Sequence, residues 1–159
     1  MAAASVAGTA ITAYSGSKAA KGAYESQAQV ARNNATIAGW QADDALARGD
    51  RAASAVRMKT SQLKGRQRAT MAANGVDLGA GSALNILDDT DYFGEIDANT
   101  VKDNAAREAW ALRNQAQGFT YEAGAAQARA SNESPLLAAG TSMLTSAGRV
   151  ADRWYAGSK

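Results

Sequence analysis

From Ala28 onward a small residue returns every seventh position. Ala28, Ala35, Ala42 and Gly49, continued by Val56 and Leu63, form one register, and Ala31, Ala38, Ala45 and Ala52 form a companion three residues on. Residues 105–130 repeat the pattern, with Ala105, Leu112, Phe119 and Ala126 in one register and Ala109, Ala116, Ala123 and Ala130 in the other. An a/d seam of this period is the signature of helices packed side by side. Made of alanine, it permits helix axes to approach to the close end of the usual range of about 8–10 Å.

Composition leaves few alternatives to thin helix-on-helix packing. About a quarter of the 159 residues are alanine, there are only two Phe and five Tyr, and large aliphatics are sparse, so a thick apolar core cannot be assembled. A single proline, with abundant Ala, Gln, Arg and Glu, favours helix almost everywhere. The expected fold is all-α: an elongated antiparallel helical hairpin with alanine-rich heptad seams, plus a C-terminal helix. Its divisions are a small-residue N-terminal segment (1–16), a long hairpin (17–132) with its bend near 74–90, and a C-terminal helix and tail (133–159). Within the hairpin the first helix is expected from Ser17 to Ala73, a short helix over 83–89, and the second long helix from Asp91 to Asn132. The last helix is expected from Pro135 to Tyr155. Gly39, Gly49 and Gly65 mark places where the first helix can kink.

The glycine-rich stretch "MAANGVDLGAGSALNILDDTDYFGEID", residues 71–97, is where chemistry would be sought. Asn74-Gly75 is a helix-ending signal, because glycine accepts the left-handed conformation that closes a helix. Gly79 and Gly81 loosen the connection, and Ser82 offers a cap to the following helix. The spacing of Gly75, Gly79 and Gly81 fits neither a dinucleotide fingerprint nor a phosphate loop, and no lysine follows. Asp89, Asp91 and Gly94 imitate the start of a calcium loop. Phe93 and Thr100 then stand where two ligands are required, so no calcium site is expected.

The absence of cysteine and histidine excludes disulfides, thiol chemistry, Ser-His-Asp hydrolysis and the usual zinc sites. Only carboxylate chemistry is left, and Asp88, Asp89 and Asp91 have no recognisable partner. No catalytic, cofactor or metal site is expected, and the reading is of a protein that is not an enzyme. The N-terminal stretch lacks the basic and leucine-rich regions of a secretory signal. The uncharged stretches 1–16 and 134–148 fall short of the roughly 20 apolar residues of a membrane span.

Charge is segregated along the chain. Residues 1–73 hold ten Lys and Arg against four acids, residues 74–104 one lysine against seven acids, and residues 105–159 six against four. The acid-free run 51–68, with Arg51, Arg57, Lys59, Lys64, Arg66 and Arg68, is the candidate surface for DNA or a partner. In a hairpin the same run would lie beside Asp91, Glu95, Asp97 and Asp103, so mutual neutralisation competes with DNA contact. At the ends, small residues repeat every fourth position: Ala4, Gly8, Thr12 and Gly16, and again Ala138, Ser142 and Ser146. Together with Trp154 and Tyr155 these ends are the candidate membrane or subunit contacts, represented by Gly8, Ser142, Trp154 and Tyr155.

The segment "GVDLGAGSALNILDDTDYFGEIDANTVKDNAAREAW", residues 75–110, resembles the internal virion core, or DNA-ejection, proteins of short-tailed double-stranded-DNA bacteriophages. In these a Gly-Val-Asp turn and a Gly-Ser cap lead into a helix ending Asn-Ala-x-Arg-Glu-Ala-Trp. Gly75, Asp77, Gly81, Ser82, Arg107, Glu108 and Trp110 match the pattern as structural positions. The resemblance implies a non-enzymatic virion protein held inside the capsid or at the portal. It also implies a homo-oligomeric ring that helps form the channel for DNA delivery and reaches the host cell envelope after infection. Implied partners are the portal, other core or ejection proteins, DNA in a channel lumen and the host envelope membrane, with no cofactor. Two alternatives stand beside this: a head-to-tail adaptor or portal-bound collar protein, and a DNA-binding or DNA-condensing protein that uses the run 51–68.

Overall fold

The computed structural model describes residues 2–79 and 81–157, with the side chains of residues 7–79, 81–152 and 155–156. The described chain is helical throughout, apart from two short connections. Helix α1 runs Ala2–Ala73, α2 runs Gly81–Asn132 and α3 runs Pro135–Gly157. The chain forms two compact units: residues 36–116, and residues 1–35 together with 117–159.

Helix α1 takes in residues 2–16 as well as the expected span from Ser17. Nothing in the alanine-rich start can stop a helix, and Ser17 is not a cap. Its hydroxyl donates instead to Glu133 Oε2 at 2.8 Å. The glycines at 39, 49 and 65 leave the helix assignment unbroken. At its end the amide of Val76 donates to the carbonyl of Met71 and that of Gly75 to Ala72, both at 3.0 Å, with Gly75 at φ +72°. This paired closure satisfies carbonyls that a helix end leaves free.

The short helix expected over 83–89 and the long one from Asp91 are one continuous α2. Leu87 and Gly94 are buried and Thr90 is half-buried, so the seam passes straight through the acid cluster. Helix α2 starts at Gly81, itself at φ +65°, one residue ahead of the expected cap Ser82. Helix α3 starts at Pro135 as the Ser-Pro pair predicts, and the Ser134 carbonyl accepts from Ala138 at 2.9 Å.

In the unit spanning 36–116 the two helices meet along small residues. Ala38, Ala42, Ala45, Gly49 and Ala53 of α1 are buried, as are Ala83, Leu87, Gly94, Ala98, Ala105 and Ala109 of α2. Two glycines sit directly against the facing helix. A Cβ added to Gly49 would stand 2.3 Å from the Cβ of Ala105, and one added to Gly94 would stand 2.3 Å from both Cγ2 and Oγ1 of Thr60. Eleven residues separate Gly49 from Thr60, and eleven separate Gly94 from Ala105. The whole seam of this unit follows that step, as at Ala42, Ala53 and Lys64 on α1 and Leu87, Ala98 and Ala109 on α2.

The heptad registers therefore need correcting within α1. Ala52 is exposed and its neighbour Ala53 buried, and Leu63 is 45% exposed while Thr60 and Lys64 take the seam. A straight helix turns 3.6 residues per turn, so a strict seven-residue stripe drifts round it, whereas eleven residues in three turns keep nearly in line. Both α2 registers stay on the seam, since only their first positions, Ala105 to Ala116, lie in this unit, over a span too short for a seven-residue stripe to drift off it. An eleven-residue repeat goes with a right-handed or nearly straight helix pair.

In the other unit the seven-residue spacing holds. Ala28 and Ala31 of α1 and Ala123, Ala126 and Ala130 of α2 are buried, with Phe119 half-buried. Helix α3 turns its small stripe inward: Ser142, Ser146 and Val150 are half-buried, and the hydroxyls of Ser146 and Thr9 lie 2.9 Å apart.

The glycine contacts give a direct stability test. Gly49→Ala should destabilise by about 1–3 kcal/mol, since the added methyl overlaps backbone-anchored atoms. Gly65→Ala, which meets open space, should stabilise by about 0.5–1 kcal/mol through helix propensity. Thermal unfolding followed by circular dichroism should thus shift the two midpoints in opposite directions.

Candidate functional site

The charged groups along the hairpin of residues 36–116 are sorted by flank. On one flank of α1, Asp43, Asp50, Arg57 and Lys64 follow each other at seven-residue steps and take partners from α2. Arg113 reaches Asp43 at 3.3 Å, Lys102 reaches Asp50 at 3.1 Å, Arg57 pairs with Glu95, and Lys64 pairs with Asp91. The signs reverse midway, acids of α1 giving way to bases. Arg57 grips Glu95 with two bonds, Nε to Oε2 at 2.8 Å and Nη2 to Oε1 at 2.5 Å. This two-pronged fit is the strong geometry for a guanidinium and a carboxylate. Elsewhere Arg48 pairs with Asp44 one turn away and with Glu108 across the seam.

The six basic residues of the run 51–68 are thus divided by the fold. Arg57 and Lys64 are held by α2, and Arg51 lies 3.8 Å from Asp44 on its own helix. Lys59, Arg66 and Arg68 are exposed and make no ion pair or hydrogen bond among the described residues. Of the acids expected beside the run, Asp91 and Glu95 engage it, and Asp97 and Asp103 make no ion pair with it among the described residues. The pairs Lys102–Asp50 and Arg113–Asp43, in which α1 supplies the acid, escaped sequence reasoning, which looked only for the densest run of each sign. Their signal was the seven-residue step that links Asp43 and Asp50 to Arg57.

On the opposite flank Arg48 and Glu108 bridge the seam, and further along, around Thr60 and Gly94, the hairpin is uncovered. Thr60 and Gly94 close the floor, and beside them an uncovered groove is lined by Leu63, Ile86 and Phe93, with Lys59 and Arg66 on the α1 lip and Asp89 and Asp97 on the α2 lip. Two adjoining hollows of about 380 and 600 Å³ make up this groove. Neither holds a nucleophile with an adjacent base. Among the described residues no group of three or more acids could hold a metal ion.

The end positions fall differently. Gly8 is exposed with open space where a Cβ would stand, whereas Ser142 is half-buried and its hydroxyl donates to the Ala139 carbonyl. Tyr155 is exposed, and the side chain of Trp154 lies outside those described. No helix among the described residues is long and apolar enough to cross a membrane.

The Arg57–Glu95 bond shifts both partners. It raises Arg57 above its ordinary value, chiefly through the hydrogen bond to Glu95, and lowers Glu95, chiefly through the same bond from Arg57. A lowered carboxylate contributes stability that is fully present above its unfolded value and lost as pH falls through the folded one. Wild type should therefore be the more stable at pH 7 compared with Glu95→Gln. The gap should close as pH drops below the ordinary glutamate value of 4.5, as read by urea unfolding at a series of pH values.

Comparison with curated proteins and with solved structures returned no match. Comparison with family models did: an all-helical chain without a catalytic or metal constellation among its described residues is matched over residues 1–159. The chain belongs to the T7 virus internal virion protein gp14 family.

Proposed function

We propose that the chain is a non-enzymatic structural protein of the virion interior that self-associates, closes into a ring and contributes to the channel through which DNA is delivered into the host. The observation that carries this reading, beside the family, is where the large apolar side chains lie. The seam is filled with alanine, and Leu87 is the one large side chain buried among the described residues. Leu136, Leu137 and Leu144 of α3, Trp40 and Trp110 of the hairpin, and Phe93 beside the groove are all exposed. A chain that spends its small residues inside and its bulky ones outside has apolar surface left for neighbours. Self-association would bury that surface and add stability by mass action.

The partners proposed are further copies, the portal and other core proteins, and after infection the host cell envelope. The ends carry the candidate envelope or subunit contacts, Gly8, Tyr155 and the outer leucines of α3. The collar reading differs in location, since a collar piece stays with the emptied particle and a delivered protein leaves it. Mass spectrometry of virions before and after triggered DNA release should show the chain lost with the DNA. Retention in the empty particle would favour the collar. In solution the purified chain should be oligomeric at micromolar concentration by light scattering, and a discrete monomer would overturn the ring.

A second reading, DNA contact through the basic run, is favoured by the unpaired cations Lys59, Arg66 and Arg68. If they bind duplex DNA, the logarithm of affinity should fall against the logarithm of salt with a slope of about 0.9 per phosphate neutralised. Affinity unchanged between about 50 and 200 mM salt dismisses that reading.

A further inference from the structure

The two flanks of the 36–116 hairpin are unlike. One carries the ion-pair ladder from Asp43 to Lys64 beside a polar hollow of about 610 Å³ lined by Arg57, Lys64, Asp91 and Glu95, and the other carries the Arg48–Glu108 pair and, further along, the apolar groove. The groove floor is apolar, with Leu63 and Ile86 each 45% exposed and Phe93 61% exposed. Its lips have opposite sign: Lys59 and Arg66 on α1, Asp89 and Asp97 on α2. None of these four takes a charged partner among the described residues, although Arg48 and Glu108, eleven residues from Lys59 and Asp97 on the same flank, pair across the seam, as do the charges of the ladder.

We infer that this groove is a self-complementary pairing surface, occupied by the same groove of a second copy related by a two-fold axis lying along the hairpin. The inference rests on the self-association proposed above and names its surface.

Charge selects the occupant and its orientation. Two copies can be laid groove to groove about an axis along the helices or about an axis across them. The crosswise axis stacks α1 on α1 and sets Lys59 and Arg66 against their own kind. The lengthwise axis lays α1 of one copy over α2 of the other and leaves heights along the hairpin unchanged. Thr60 and Gly94 face each other at one height. At a rise of about 1.5 Å per residue, Lys59 then falls within about 3 Å of the level of Asp97, and Arg66 within about 1.5 Å of that of Asp89. The lengthwise pairing thus forms both ion pairs twice, over a floor in which Leu63, Ile86 and Phe93 are covered. An isologous contact needs this kind of self-complementarity. A two-fold contact closes on itself, so the ring is built from pairs and uses another surface to close.

The test uses the full-length chain and two variants whose changed residues are all exposed, with helix content checked by circular dichroism. Lys59→Glu with Arg66→Glu places acids on both lips, and Asp89→Lys with Asp97→Lys places bases on both. Each variant alone should need at least about tenfold more protein to associate in sedimentation equilibrium, because like charges then meet across the two-fold. An equimolar mixture should associate within about twofold of wild type, since every lip again faces its opposite. If wild type associates and both variants associate equally well, the groove is not the contact, and the ring reading survives. If the variants are impaired but the mixture is not restored, a second copy is not the occupant. If the acidic variant loses duplex DNA binding while self-association is untouched, the occupant is DNA and the inference is overturned. A wild type that stays monomeric overturns the inference and the ring together.

Discussion

The close approach of α1 and α2 at Gly49 against Ala105 and at Gly94 against Thr60 is the constraint on which the rest of the hairpin depends. There is no room for even one added carbon at either glycine. The interface between them is therefore only a methyl group deep, and Leu87, beyond Gly94, is the one large side chain buried along its line among the described residues. Leu46 and Leu112 lie at the edge, packed against the buried alanines Ala42, Ala45 and Ala109. Bulky residues are displaced outward, and the same displacement leaves apolar surface for other molecules to cover.

Near approach also brings the flanking charges within reach of each other. Exposed ion pairs contribute only about 0–1 kcal/mol each, so the ladder from Asp43 to Lys64 is a weak source of stability. Its value lies in alignment. Because α1 presents acids and then bases, a slip of one step along the helices sets like charges together where the sign reverses. Alanine seams are nearly featureless and would tolerate such a slip. The two glycine contacts and the charge reversal remove that freedom, one by shape and the other by sign.

Much of this was legible in the residues. The helix-ending role of Asn74-Gly75, the start of α3 after Ser134, the antiparallel hairpin and the α2 seam from Ala105 to Ala130 all follow from local chemistry or from a repeat confined to one helix. What escaped were features that depend on the partner helix. Ala52 and Ala53 are the same residue type, so only the drift of a straight helix under a seven-residue stripe decides which of them is buried. The join of the expected 83–89 helix to α2 was hidden by the acid cluster, which reads as a break until Leu87, Thr90 and Gly94 are seen to continue one seam. The basic run is visible at once, but its division into paired and unpaired members is not. Arg57 and Lys64 differ from Lys59 and Arg66 only in the direction each points round the helix.

The sequence by itself determined that this chain is helical, thinly packed, and without the histidine and cysteine on which much catalysis and zinc binding rely. Those properties belong to residue types and short spacings, which no packing arrangement can alter. Tertiary structure alone decided which flank of the hairpin carries the ion-pair ladder and which the apolar groove, because that depends on the relative rotation of two helices. Gly49 and Gly94, which leave no room for a side chain against Ala105 and Thr60, help to fix that rotation. Glycines at 39 and 65 are the same residue in the same helix and meet nothing, since a glycine acquires its role only from what stands opposite it.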